Sequence, residues 1–552
     1  MAGGPMGSNQ FGRLMLVGIS LFILFFTISC EQSPEKVETI STSNRSGGLV
    51  SKGGTYHAPL LNNPATLDPA YVQDQYGTAV VQQLFDGLVR FDPYLLVLPA
   101  LAETWQVEEQ GKRYRFTLQK NARFHNGDPV TATDVIFSIS RLLRVTPSPA
   151  TLPNLLKIRG AKAYRDHQTE TVEGLHAVDP HVVVIQLEEP HAPFLTALGM
   201  YQAKIVPRAE VLRLGEQFGQ HPVGSGPFRF VSWEPDKRIQ LARFPEYFAG
   251  QPFLDAVEYH IYPGVELEQI LADFKNGKLD EMLLLGSIRE QLSIQSDLQW
   301  FHRPALSLMF YGLKVDHPNL ADPALRRRLS MAIDRKSLLK EVYQNQLEPA
   351  QRILPPGMPG ASQEELLPDT YKTFQSTSET TPQKNTPLSL EIVSGSKSAF
   401  AQAELNFVRQ AWSALGIDLT IKYITDWSEF ETYIKSDQVQ IYRYAWFADM
   451  PDPDSFFYPL FASSSPNNFM GFRDETVNRL ILSARGETEP EKRTEIYREI
   501  EELIMKSMPI IPLLYPSVDR VYKPHIQGAQ PSALGADYMS LHQVWKKDTS
   551  SQ

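Results

Sequence analysis

One cysteine in 552 residues is the sharpest shortage of this sequence. A lone thiol excludes an internal disulfide framework, so Cys30 needs its own explanation. Basic runs are nearly absent: Arg326-Arg327-Arg328 stands alone in a chain of net charge −10, which argues against a nucleic-acid partner. The motifs of common catalysts are missing too, with no G-x-S-x-G, G-x-x-x-x-G-K-[ST], H-E-x-x-H or G-x-G-x-x-G. Ser394-Gly395-Ser396-Lys397 matches S-x-x-K, but its S-D-N and K-T-G companions are lacking and it follows a strand instead of opening a helix. Twelve histidines are scattered without a metal-ligand spacing. Asp449, Asp452 and Asp454 form the kind of acidic group a hard cation needs, yet Pro451 and Pro453 make it turn chemistry first. The reading is therefore no enzyme, no metal and no cofactor.

What is present begins with an apolar run, Leu14 to Ile28, preceded by Arg13. Its length suits a signal-peptide core and falls short of a comfortable membrane span. It leads through Thr27-Ile28-Ser29 into Cys30, and the segment resembles a bacterial lipobox, with Thr27 where leucine is most usual. That resemblance implies a signal peptide over 1–29 and a diacylglycerol on Cys30, anchoring an extracytoplasmic protein to a membrane. Residues 31–52 are rich in Ser, Thr, Glu and Gly and cannot bury enough apolar surface to order themselves. Residues 30–54 are accordingly expected to be a flexible tether. With 42 % apolar and 21 % charged residues, the remainder has the composition of a globular protein of several domains.

Periodicity predicts an α/β lobe between 388 and 447. Leu388, Leu390 and Ile392 alternate as a strand; Leu405, Val408, Trp412 and Leu415 recur at helical spacing; Gly416 stands at the C-cap. Ile417 to Tyr423 alternates again, Asp426 and Glu429 predict a second helix start, and 439–447 reads as a third strand. Strand–helix–strand order implies right-handed crossovers and a parallel sheet. Elsewhere, strands are expected at 114–118 and 181–187. A helix capped by Thr131 and Asp134 is expected, with others from Asp322 to about Tyr343 and over 489–506. The polar stretch 361–386 reads as a surface excursion.

Several runs occur in a fixed order. They are Thr66-Leu67-Asp68-Pro69, Leu84-Phe85-Asp86-Gly87-Leu88, Leu101-Ala102-Glu103-Thr104-Trp105, Ala122 to Ala132, and Gly224-Ser225-Gly226-Pro227-Phe228. Ala332-Ile333-Asp334-Arg335, Trp446 to Asp454, Asn467 to Phe472 and Pro509 to Leu513 follow. The series, spanning about Gly54 to Trp545, resembles the extracellular solute-binding proteins of family 5, the oligopeptide-, dipeptide- and nickel-binding group of ABC importers. The resemblance implies a two-lobed α/β clamp of the periplasmic-binding-protein type (type II), with an extra subdomain in the discontinuous lobe. The implied division is 55–87 with 206–300 and 500–547 as lobe I, 88–205 as the extra subdomain, and 301–499 as lobe II.

In peptide binders of that family an aspartate at the end of W-x-x-D pairs with the peptide α-ammonium, and Asp449 occupies that position. The preceding strand offers its main chain to the peptide as an added strand. Trp446 and Phe447 would line the ligand space, and Arg443 matches an arginine near the ligand's C-terminal carboxylate. The implied function is capture of a short peptide for a membrane-embedded ABC permease and its ATPase subunits, by a lipid-anchored monomer in the periplasm or at the cell surface. Nickel, haem or an oligosaccharide is the alternative cargo on the same fold; a hydrolase is the remote one. Two departures, Glu246-Tyr247 in place of Asn-x-Tyr and the polar segment between Pro359 and Leu388, leave ligand length open.

Overall fold

The computed structural model describes residues 52–547 other than 266, 285–287, 293–294, 296 and 363–387. The expected leader, lipidated Cys30 and nearly all of the tether lie outside the described residues, as does most of the 361–386 excursion. Among the described residues no helix is long and apolar enough to cross a membrane.

Strict alternation shapes the first sheet. In Thr55–Leu60 the side chains of Tyr56, Ala58 and Leu60 are buried while Thr55, His57 and Pro59 keep partial access to water. This strand runs parallel to Ala256–Ile261, which Arg238–Arg243 and Phe228–Glu234 extend antiparallel. The inward residues pack on helix Gln75–Leu84, whose N-cap Asp74 accepts from the Gly77 N–H at 2.7 Å. Tyr522, Ile526, Leu541 and Val544 complete the same core, so the C-terminal segment returns to where the chain began.

A second core comes almost wholly from Leu88 to Ile205. Its four-stranded antiparallel sheet runs in the order Ala102–Glu108, Arg113–Leu118, Val182–Gln186, Leu175–Asp179. Helix Ala132–Leu142 opens with the reciprocal capping box of Thr131 and Asp134 and buries Val135, Ile139 and Leu142.

The third core surrounds a six-stranded sheet ordered Glu348–Pro349, Ile510–Tyr515, Ser307–Leu313, Ile441–Phe447, Leu388–Ser394, Ile417–Tyr423. The last three are parallel, as expected, with helices Ala399–Ser413 and Trp427–Ile434 as the crossovers. Gly416 ends the first helix at a left-handed φ of 74°, and Asp426 caps the second by accepting from the Glu429 N–H at 2.8 Å. Ser307–Leu313 joins antiparallel from far upstream and Ile510–Tyr515 from downstream, which makes the sheet mixed. The helix expected from Asp322 to about Tyr343 is two helices, Pro323–Met331 and Arg335–Val342. Asp334 breaks the run because its carboxylate caps the second, accepting from the N–H groups of Lys336 and Ser337.

Strand Gln299–Pro304 lies in a separate three-stranded sheet with Ser517–Tyr522 and Glu281–Leu283. Among the described residues the chain thus passes between this sheet and the six-stranded sheet just after Pro304 and at Pro516. The crossings run side by side, with the Ala305 N–H donating to the Pro516 carbonyl at 2.8 Å. Residue 500 falls inside helix Pro490–Ser507, whose Tyr497, Ile500 and Ile504 pack in the third core, and 300/301 falls inside a continuous strand. A helix whose apolar stripe faces one core cannot be divided between two. The result is a two-lobed α/β protein with an extra subdomain.

Trp412 is fully buried, its edge against Tyr311 and its Nε1–H donating to the Leu329 carbonyl at 2.9 Å. Trp412→Ala removes that bond and opens a cavity, and should cost about 3–5 kcal/mol in urea-induced unfolding.

Candidate functional site

Strand Ile441–Phe447 has neighbours on both sides, but they differ in length. Ser307–Leu313 accompanies it throughout, from Leu313 opposite Ile441 to Ser307 opposite Phe447. The ladder to Leu388–Ser394 stops at Arg443, opposite Ser394. The Ala448 N–H donates to the Leu306 carbonyl at 2.8 Å, which continues the first ladder in register. Hydrogen-bonded pairs alternate in an antiparallel ladder, so Tyr442, Tyr444 and Trp446 bond toward Ser307–Leu313 while Arg443, Ala445 and Phe447 present N–H and C=O to the other side. For Ala445 and Phe447 that side lies past the end of the Leu388–Ser394 ladder. An extended segment can dock on this stretch of strand edge.

The strand's even-numbered residues anchor it by aromatic packing. Tyr442 and Tyr444 meet Phe310 and Phe469 with ring centroids 6.0 to 6.4 Å apart. Trp446 is half-buried against the same core, its Nε1–H donating to the Ser455 carbonyl at 2.7 Å. That bond fixes the orientation of the indole. Phe447, by contrast, is 63 % exposed at the strand's end.

Arg443 has a different engagement from the one expected. Its Nε and Nη2 donate to the two oxygens of Glu404 at 2.9 and 3.0 Å, a bidentate pair with a carboxylate that is fully buried. Burial opposes the guanidinium's charge, and the Glu404 carboxylate overcomes this and raises its pKa. The hydroxyls of Tyr311 and Tyr343 donate to the same carboxylate, the first at 2.8 Å. Arg443 is thus committed within its own core. The sequence reading missed Glu404, although Ala401, Glu404, Leu405, Val408 and Trp412 share one buried helix face.

Asp449, two residues beyond the strand, is exposed to solvent and has no hydrogen-bond or ion-pair partner among the described residues. The protein around it nonetheless desolvates the carboxyl enough to raise it above its ordinary range. Its charge is felt by Tyr201 and Tyr538, whose rings meet edge to face at 5.8 Å. Burial comes first in raising both phenols, Tyr201 to about 12, and Asp449 adds to it. These tyrosines come from segments 201–203 and 536–538, far from Asp449 in sequence and invisible to local pattern. Next to Asp449, Met450 packs on Ala197 and Met200 of the second core's chain segment.

Asp452 and Asp454 are spoken for. Asp452 holds Arg493 in a bidentate pair at 2.8 Å for both contacts and accepts the Asp454 N–H at 2.9 Å. Asp454 opens helix Asp454–Phe461 and lies 3.2 Å from Arg485, its carboxyl pushed up to about 6 chiefly by burial. Turn and helix-start chemistry accounts for both. At Ser394 the hydroxyl donates to the Ser396 carbonyl at 2.8 Å, and the Lys397 ammonium lies over the Tyr423 ring. Neither group is set up against the other as a nucleophile and base. One set of possible metal ligands converges among the described residues, His57, Glu258 and His260 on the first sheet.

Arg443→Met leaves the Glu404 charge buried with only phenol donors and should cost about 3–5 kcal/mol of stability by urea unfolding. Adding Glu404→Gln should recover most of that loss, the pattern of a structural pair.

The family model for bacterial extracellular solute-binding proteins, family 5 Middle, matches residues 97–468. The probable di/tripeptide-binding protein 5 of Pseudomonas aeruginosa (strain UCBPP-PA14) is 28 % identical over 477 residues, covering 82 % of this chain and 88 % of that protein. Heme-binding protein A of Haemophilus influenzae is 25 % identical over 536 residues, covering 92 % and 94 %. Among solved structures, the periplasmic murein tripeptide binding protein MppA in its unliganded open form superposes with a TM-score of 0.82 at 24 % identity, over 92 % of this chain and all of that one. The chain belongs to the bacterial extracellular solute-binding proteins, family 5.

Proposed function

We propose that this protein captures short peptides between its lobes and delivers them to an ABC importer, without chemistry on the peptide. One observation carries the reading: an unpaired, partly desolvated carboxylate, Asp449, follows directly on a strand whose Ala445 and Phe447 main chain faces an open edge. A peptide laid along that edge would place its α-ammonium at Asp449, where one charge-assisted contact serves every sequence. Phe447 would offer an apolar surface to a side chain, and Trp446 a fixed wall. Arg443, being committed to Glu404, is not assigned to the peptide carboxylate.

In this proposal 55–87, 206–304 and 517–547 form the first lobe, 88–205 its extra subdomain and 307–515 the second lobe. The paired crossings at Ala305 and Pro516 act as the hinge about which the lobes close. Tyr201 and Tyr538 would then cover the ammonium end from the opposite side. The protein works as a monomer in the periplasm or at the cell surface, held to the membrane by a lipid on Cys30. The peptide-binding and heme-binding relatives support two kinds of cargo, and Asp449 favours the first, because haem has no ammonium to satisfy it.

Calorimetry with a mixed tripeptide pool and its N-acetylated counterpart tests this. Removing the ammonium should weaken binding by about 1.5–3 kcal/mol, as should Asp449→Asn against free peptides. Equal affinity for both pools would refute the assignment. The pH dependence has a definite sign. Asp449 must be ionised to bind, and its pKa is raised in the free protein, so affinity is full well above that pKa and falls as pH is lowered through it. Asp449→Asn should abolish that part of the profile. Separately, Cys30→Ala should leave peptide affinity unchanged and shift the protein from the membrane to the soluble extracytoplasmic fraction.

A further inference from the structure

The first sheet carries a convergence of ligating atoms that peptide capture does not use. His57 stands opposite Glu258 on the neighbouring parallel strand, and Pro59 opposite His260. Alternation puts His57, Glu258 and His260 on one face, turned away from the buried Tyr56, Val257 and Tyr259. His57 Nδ1 lies 3.2 Å from His260 Nε2, and that Nε2 lies 3.2 Å from Glu258 Oε1. The ligand atoms of all three residues fall within 4.8 Å of one another.

Hydrogen bonding alone accounts poorly for this arrangement. With neutral rings, His260 Nε2 either carries a hydrogen, which serves only one of the two contacts well, or lacks it and turns its lone pair toward both His57 Nδ1 and the Glu258 oxygen. A cation removes the conflict. Tetrahedral Zn²⁺ with bonds of about 2.0–2.1 Å sets ligand–ligand edges of about 3.3 Å, which both separations match. The second oxygen of Glu258 accepts from Gln240 Nε2 at 2.7 Å, orienting the carboxylate so that Oε1 remains for the ion. Cationic neighbours are largely neutralised by other partners. Lys546 pairs with Asp280, Lys278 with Asp273 and Arg238 with Glu234, each at 2.8 Å, with Arg238 also 3.7 Å from Glu258. Two imidazoles and one carboxylate suit a borderline transition cation better than Ca²⁺ or Mg²⁺, which prefer oxygen alone.

We propose that His57, Glu258 and His260 form a three-ligand site for a divalent transition cation, Zn²⁺ foremost, with the fourth position open to water or another exchangeable ligand. None of the residues around Asp449 contributes, so the site stands whether or not peptides are the cargo.

The test is calorimetric titration of the full-length protein, stripped with EDTA, with ZnCl₂. One equivalent should bind the wild type, and Co²⁺ in its place should give the visible absorption of a tetrahedral complex. His57→Gln and His260→Gln should each weaken Zn²⁺ by more than about 100-fold, and Gln240→Ala by about 10-fold through loss of carboxylate orientation. His176→Gln, at an exposed histidine on another sheet, should change nothing. Thermal unfolding in EDTA, expected to match wild type for the Gln240→Ala variant, separates lost ligation from lost fold. Undiminished Zn²⁺ affinity in the His57→Gln/His260→Gln double variant, or no binding by wild type at micromolar concentrations, overturns the proposal.

Discussion

A charge with no access to water governs the third core. Glu404 is fully buried on helix Ala399–Ser413, and an unpaired carboxylate there would cost several kcal/mol. Its oxygens are met by Arg443 from the central strand, Tyr311 from the adjoining strand and Tyr343 from beyond helix Arg335–Val342. Tyr311 and Arg443 sit directly opposite each other in the ladder, so the demand of one carboxylate is answered only in one register. Four segments far apart in sequence are thereby tied at a point, and the central strand is pinned to the helix packed against it.

The open edge is a consequence. With Arg443 held by Glu404, Tyr442 and Tyr444 locked in aromatic packing, and Trp446 bonded to the Ser455 carbonyl, the strand is held along its length to Phe447. Its parallel neighbour gives out at Ser394, so main-chain groups at Ala445 and Phe447 extend past the ladder. Asp449 follows after one residue, and the turn behind it is braced by the Asp452–Arg493 pair and by Met450 packed on Ala197 and Met200. If peptide docks here as proposed, a held strand with a braced carboxylate needs little ordering when it arrives.

Much of this was legible in sequence where the controlling interactions are local. Alternation gave the strands near 388–394 and 417–423, and capping residues placed the helix starts at Thr131 and Asp426. The single helix expected from Asp322 failed because Asp334 is a cap as well as a helix residue, a competition that its Lys336 and Ser337 amides decide. The Arg443–Glu404 pair was not legible because its members are 39 residues apart, although a glutamate within the apolar stripe of 401–412 was a readable signal of a buried ion pair. Tyr201, Tyr538 and the His57–Glu258–His260 set depend on pairings across hundreds of residues, to which no local period points.

The most direct measurement of the central claim is hydrogen exchange at the Ala445 and Phe447 amides with and without bound peptide. Docking along the open edge predicts strong new protection at both, with little change at Tyr442 and Tyr444, whose amides are already bonded within the sheet. Saturating peptide that leaves Ala445 and Phe447 exchanging at their free-protein rates would contradict it.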